Sequence, residues 1–301
     1  MSGIEATPQK VRVARCLAFV LFGSVCLSSA MAIDLEPLWN FSQPEQSEQR
    51  FRTALAGASR DDALILQTQI ARSYGLRGDF ARGQQILKSI EAEIAVASTE
   101  ARARFELEAG RMLASAKHAA DSQTPEAKAQ ARARYLRALK LAKGGQLDAL
   151  AIDALHMLAF VDTAPSDQLK WGEQALAIAL ASTQPAGRKW EASLRNNIGY
   201  ALHQLKRYDE ALAQFERAVV VRDRADDAEA TRAAHWMVAW TLRALNRSDE
   251  ALAIQLRLER ECDAAGVPDP YVFDELEALY RARGDDLRAE EYARKRKLLT
   301  R

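Results

Sequence analysis

A chain of 301 residues is long enough to bury a sizeable core. Its 42 basic and 41 acidic side chains leave a formal charge of +1, which argues against a generic polyanion binder. Glycine and proline are few, at 14 and 8, while Ala, Leu, Glu, Arg and Gln are abundant, and these side chains lose little rotamer freedom in a helix.

Residues 1–32 read as a signal peptide. Lys10, Arg12 and Arg15 precede the apolar run CLAFVLFGSVCL at 16–27, and Ala30-Met31-Ala32 supplies a small-x-small cleavage site. The run is too short to span a bilayer comfortably. Cleavage after Ala32 is expected, with no stable membrane insertion afterwards; an uncleaved anchor or an internal helix is the alternative. Neither a lipobox nor a twin-arginine pair is present, so a general export route is expected. Cys16 and Cys26 would leave with the leader. Cys262, left alone, has no partner for an internal disulfide or a thiolate-rich metal site. Glu259, Glu261 and Asp263 around it disfavour a thiolate, so it reads as a small apolar residue near a helix end.

Residues 33–59 read as an N-terminal capping segment. Pro44 starts a helix that runs to around Gly57, and Trp39 and Phe41 are expected to pack over the first hairpin.

Residues 60–301 repeat. GDFARGQQILKSI at 78–90, RYDEALAQFERAV at 207–219, RSDEALAIQLRLE at 247–259 and GDDLRAEEYARKR at 284–296 each follow a polar turn and carry a small residue: Gly83, Ala211, Ala251 and Ala289. AQARARYLRALKLA at 129–142 and KWGEQALAIALAS at 170–182 fit with Ala131 and Gly172. From Gly172 onward the small residues recur about 40 residues apart, the period of a two-helix solenoid repeat. The longer step from Gly83 to Ala131 falls in AADSQTPEAKAQ at 119–130, a lengthened turn with an extra helical turn. Upstream helices show one-face spacing, as in Ala192, Arg195, Ile198, Gly199 and Leu202.

This pattern resembles the tetratricopeptide repeat (TPR). Ile198, Gly199, Leu202, Tyr208, Ala211, Phe215 and Ala218 stand at its small and large positions, and Asn197-Ile198-Gly199 resembles the longer, roughly 40-residue variant. The family's terminal proline is absent near Asp223, and other copies depart further: Gln255 replaces Phe and Leu258 replaces Ala. LWNFSQPEQSEQRFRTALA resembles the leader region of stand-alone bacterial TPR proteins. The resemblance implies an all-α superhelix of about six hairpins.

Catalytic patterns are missing. His118, His156, His203 and His235 form no metal-binding spacing, and there is no GxSxG, phosphate loop or dinucleotide fingerprint. The pairs Asp61-Asp62, Asp226-Asp227 and Asp285-Asp286 sit at helix starts, where acids cap free N–H groups. Gly144-Gly145 reads as a helix stop, and Arg294–Lys297 as a solvated terminal helix. No enzyme activity, cofactor, metal or nucleic acid is expected.

The resemblance instead implies a concave groove lined by the first helix of each repeat. Its positions fall on Thr68 and Arg72, on Leu107 and Arg111, on Asn196, Tyr200 and His203 with Asn197 beside them, and on Trp236, Trp240 and Arg243. The last copy gives Asp274 and Arg281. Leu107 fits either groove or core, and so do Trp236 and Trp240, which share a helix face that could anchor a partner. The expectation is an exported, periplasmic scaffold of a Gram-negative bacterium that binds a protein or peptide. A cytoplasmic regulatory or sensor protein is the first alternative, and an envelope enzyme with a site between hairpins the second.

Overall fold

The computed structural model describes residues 33–224 and 227–299. The expected leader and Asp226 lie outside these residues. All regular structure among them is helical. A 3₁₀ turn at Glu36–Leu38 and helix α1 (Pro44–Leu55) come first. Next are α2 (Arg60–Leu76), α3 (Phe80–Ile94), α4 (Thr99–Arg111), α5 (Pro125–Gly144), α6 (Asp148–Val161) and α7 (Pro165–Ala181). A one-turn α8 (Pro185–Arg188) precedes α9 (Glu191–Gln204), α10 (Tyr208–Arg222), α11 (Ala228–Ala244), α12 (Ser248–Ala264), α13 (Pro270–Ala282) and α14 (Asp286–Leu299).

Local chemistry sets these boundaries. Ser59, Asp79, Ser98, Thr124, Asp227 and Asp269 each accept a backbone N–H at a helix start. Prolines at the starts of α1, α5, α7 and α13 lose no helical hydrogen bond there. Four turns inside hairpins end the same way. Gly78, Lys206, Asn246 and Gly284 adopt positive φ, and the next residue's N–H returns to a carbonyl five positions back, as Arg207 does to Leu202.

Among the described residues the helices form six hairpins: α2/α3, α4/α5, α6/α7, α9/α10, α11/α12 and α13/α14. The second helix of each contains one of the six repeat segments, and Gly83, Ala131, Gly172, Ala211, Ala251 and Ala289 are all buried. The close approach they permit is visible on the first helices too. A Cβ on Gly199 would stand 2.6 Å from the fully buried ring of Phe215, and one on Gly110 would stand 2.4 Å from that of Tyr135.

Two apolar clusters run through the stack. One joins α4 to α7 around Tyr135, Ile152, Leu155 and Leu158, and includes Leu107, which therefore belongs to the core. The other joins α9 to α14 around Ile198, Phe215, Leu258 and Leu276. Tyr135 donates its hydroxyl hydrogen to the Ala114 carbonyl, 2.8 Å away. Gln255, at the equivalent of Phe215, is fully buried, and neither amide atom finds a partner among the described residues. Cys262 is buried near the end of α12, and burial pushes its thiol up.

Candidate functional site

The first helices of the hairpins share one face, because side chains reach from each to the next along it. In the front half, α2, α4 and α6 are joined by charge. The Arg111 guanidinium lies 2.5 Å from both Glu108 and Asp153, and all three are buried. Arg72 lies 3.9 Å from Glu108 and 3.8 Å from Asp153, so it crosses from the first hairpin to the third. Burial alone would raise the Asp153 carboxyl, but Arg111 and Arg72 outweigh it and hold it down at about 2. Burial and the Arg111 charge lower Arg72.

In the back half, α9, α11 and α13 are joined by rings. His203 stacks on Trp240 at 3.4 Å between centroids, Tyr200 faces Trp240 at 6.1 Å, and Trp240 faces Trp236 at 5.8 Å. Trp236 meets the edge of Tyr271 at 6.2 Å and donates its indole N–H to the Tyr271 carbonyl. Tyr200 is 46% exposed and Tyr271 68%, while the two Trp rings are half-buried. Burial, with help from the Arg243 charge, pushes His203 down to about 4, so the stack holds a neutral imidazole at pH 7. Arg243 forks onto the buried Glu275 at 2.8 and 2.7 Å.

Between the halves lies a cavity of about 220 Å³, lined by His156 and Phe160 of α6, Gln168 of α7 and Asn196, Asn197 and Tyr200 of α9. Asn197 is exposed, with its amide nitrogen 3.4 Å from His156 Nδ1. A larger cavity, about 650 Å³, opens away from these groups between α3, α4 and α5, where Arg134 and Arg137 both pair with Glu106.

Residues 190–259 match the family model for the tetratricopeptide repeat. That segment carries tetratricopeptide repeats. No curated protein matches its sequence. Among solved structures it is similar to the apo form of RapI, with a TM-score of 0.69 and 13% identity over 88% of this chain and 74% of that one. It is also similar to a signal transduction ATPase with numerous domains that carries a tetratricopeptide repeat sensor, from Pyrococcus horikoshii. There the TM-score is 0.63 and identity 14%, over 85% of this chain but only 39% of that one. A third likeness is to a Podospora anserina kinesin light chain with nearly identical TPR-like repeats, at TM-score 0.53 and 15% identity, over 69% of this chain and 99% of that one. At these identities the likenesses speak to fold.

In the TPR frame, the groove residues expected from sequence divide sharply. Asn196, Asn197, Tyr200, His203, Trp236, Trp240 and Arg243 are gathered into one continuous band with the cavity at its edge. Arg72 and Arg111 are drawn instead into the internal ion cluster. Thr68 is wholly buried and turns its hydroxyl back to the Ile65 carbonyl. Asp274 pairs with Arg296, and Arg281 with Glu277, on the outer turn of the stack. Sequence reasoning weighs His156 only as a metal ligand and passes over Asp153, Trp190, whose ring lies 5.7 Å from that of His156 beside the cavity, and Tyr271. The signal for Asp153 and His156 is an acid and an imidazole inside DALAIDALHMLAFV, a helix otherwise apolar after its first residue. Among the described residues no three His, Cys, Asp or Glu side chains are grouped to hold a metal, and no helix is long and apolar enough to cross a membrane.

Proposed function

We propose that this TPR solenoid is an exported, non-catalytic scaffold whose back-half groove holds a segment of a protein partner. The observation that carries the proposal is the aromatic band. Four rings and a neutral imidazole span three successive first helices, two of the rings well exposed, with Asn196, Asn197 and Gln168 alongside. Aromatic anchors provide large contact area at little entropic cost, and flanking amides both donate to and accept from a partner backbone. The band contains no nucleophile–base pair, and its one histidine is pushed far below the range useful for a general base at neutral pH.

The leader pattern supports export to the periplasm of a Gram-negative bacterium, with the mature chain beginning at Ile33. A reporter active only outside the cytoplasm, fused after Ala32, tests that part; a silent reporter refutes it. The regulatory alternative draws on the Pyrococcus horikoshii neighbour, whose repeats are described as a sensor. Both readings use the same groove.

For the groove itself, Trp240→Ala is expected to cut capture of the partner from cell envelopes at least tenfold while the fold melts within a few degrees of wild type. Unchanged capture, or a collapsed fold with capture retained in the survivors, would show that Trp240 serves packing alone.

A further inference from the structure

The front half of the same face already has an occupant. Residues 34–41, Asp-Leu-Glu-Pro-Leu-Trp-Asn-Phe, lie across it as a strap. Trp39 and Phe41 stack on each other at 4.6 Å and 4°, and the Arg72 guanidinium sits 5.5 Å from the centre of each ring. The Trp39 indole N–H donates to the buried Gln69 side chain of α2, 3.2 Å away. Three residues earlier, Glu36 meets Lys189 at 2.6 Å, just before α9. Three residues of chain reach roughly 11 Å at most. The strap therefore runs from the first hairpin to the end of α8, between the third and fourth hairpins, alongside the Arg72–Asp153 link between the first and third.

Arg72 explains why a strap of this composition docks there. Its guanidinium has two carboxylates at 3.8 and 3.9 Å, and no acceptor among the described residues lies within hydrogen-bond distance. A flat cation so placed offers its face to aromatic rings, and Lys189 offers a second positive charge to an acid. At α1 the strap is anchored: Leu35 is buried, Trp39 is edge-on to Phe51, and Asn40 donates its N–H to the buried Ser47 hydroxyl and accepts from it at its carbonyl. The ties that Phe41 and Glu36 make along the face are individually weak. The Glu36–Lys189 pair is largely exposed, and Phe41 is 58% exposed with its ring outside the core.

We infer that the strap is a displaceable ligand held in cis, and that the front half of the groove accepts partner segments of the same chemistry: an acidic residue followed, three and five positions on, by two aromatic rings. This rests on the reading of the concave face as the binding surface, but uses none of the back-half rings. A partner carrying such a segment would compete with the strap and then continue onto Tyr200, Trp240 and Trp236.

A fluorescently labelled peptide of residues 33–43 tests this on the full chain. The wild type, with its strap docked, should bind it weakly. The Trp39→Ala/Phe41→Ala variant should bind it at least tenfold more tightly, which corresponds to a strap docked in about nine molecules of ten. Phe41→Ala alone removes only an exposed ring, so it keeps the test open if the double variant misfolds, and it should gain severalfold. Adding Arg72→Lys, which keeps the charge but not the flat stacking surface, should reverse the gain. Equal affinity for wild type and strap variants, or a gain that survives Arg72→Lys, would overturn the inference. So would wild-type dimers formed by exchanged straps. Loss of partner capture in Trp240→Ala is a separate outcome, so failure of the groove reading and failure of the strap are distinguishable.

Discussion

The front and back halves of the concave face occupy equivalent positions of one repeat and are built from opposite materials. In front, Arg72, Glu108, Arg111 and Asp153 pair in charge across α2, α4 and α6, with Glu108 Oε2 buried and without a hydrogen-bond partner among the described residues, beneath a strap of the chain itself. Behind, Tyr200, His203, Trp236, Trp240 and Tyr271 line the face across α9, α11 and α13 with two of their rings open. A repeat fixes where a side chain emerges; the neighbours it meets decide whether it is consumed in holding helices together or remains available to a guest.

The largest effect separating the halves is expected at Arg111. Arg111→Leu leaves Glu108 and Asp153 buried beside each other with only Arg72 near, and should cost about 3–5 kcal/mol in urea denaturation. A loss below about 1 kcal/mol would show that the cluster is not structural.

Next is a weakness on the back-half side. Gln255 fills the place that Phe215 fills one repeat earlier, with both amide atoms unpartnered. Gln255→Met should stabilise the fold by about 1–2 kcal/mol, since an unsatisfied buried amide is replaced by an apolar group of similar shape. Destabilisation on thermal melting would mean the amide is satisfied in solution.

The halves should also differ in acid. His203 titrates at about 4 when folded but near its ordinary 6.5 when unfolded. Between those values the unfolded chain binds more protons, so stability falls as the pH drops from 6.5 to 4. His235 on α11 and His156 on α6, both lowered chiefly by burial, act in the same direction. The Asp153 carboxyl acts in the same direction but in a lower window: its contribution is intact above its ordinary value of 3.8 and is lost as the pH falls through about 2. Melting curves from pH 7 to 4 should slope downward, and His203→Gln should flatten part of the slope; an unaltered slope would remove His203 from the account.

The smallest effect is at the turns. Lys206 holds positive φ where Gly78 and Gly284 hold it in other repeats, so Lys206→Gly should stabilise by about 0.5 kcal/mol and Gly284→Ala should cost about 1 kcal/mol. Reversed signs would mean that turn strain is not what the repeats share.

Much of this fold was legible because TPR packing is written in single residues: small side chains from Gly83 to Ala289 mark the second helices, and Gly199 marks a first helix under Phe215. The back-half band was legible for the same reason, since Tyr200 and Trp240 stand at one register of successive repeats. The front half was not. Arg72 and Arg111 occupy lining positions, and only the three-dimensional approach of α6 shows that Asp153 takes them up. Tyr271 lies in the first turn of its helix, ahead of the repeat register, and the strap's bridge to Lys189 joins residues too far apart in sequence for any local pattern to reveal.

The central claim is that the back-half band holds a protein segment, and site-specific photocrosslinking tests it most directly. A photoreactive phenylalanine would be placed in turn at Tyr200, at Tyr271 and at Val220, an equally exposed apolar position on the second helix α10. Crosslinks to the same partner segment from Tyr200 and Tyr271, and none from Val220, are predicted. Crosslinks of equal yield from Val220, or none from the two tyrosines while the partner remains bound, would contradict it.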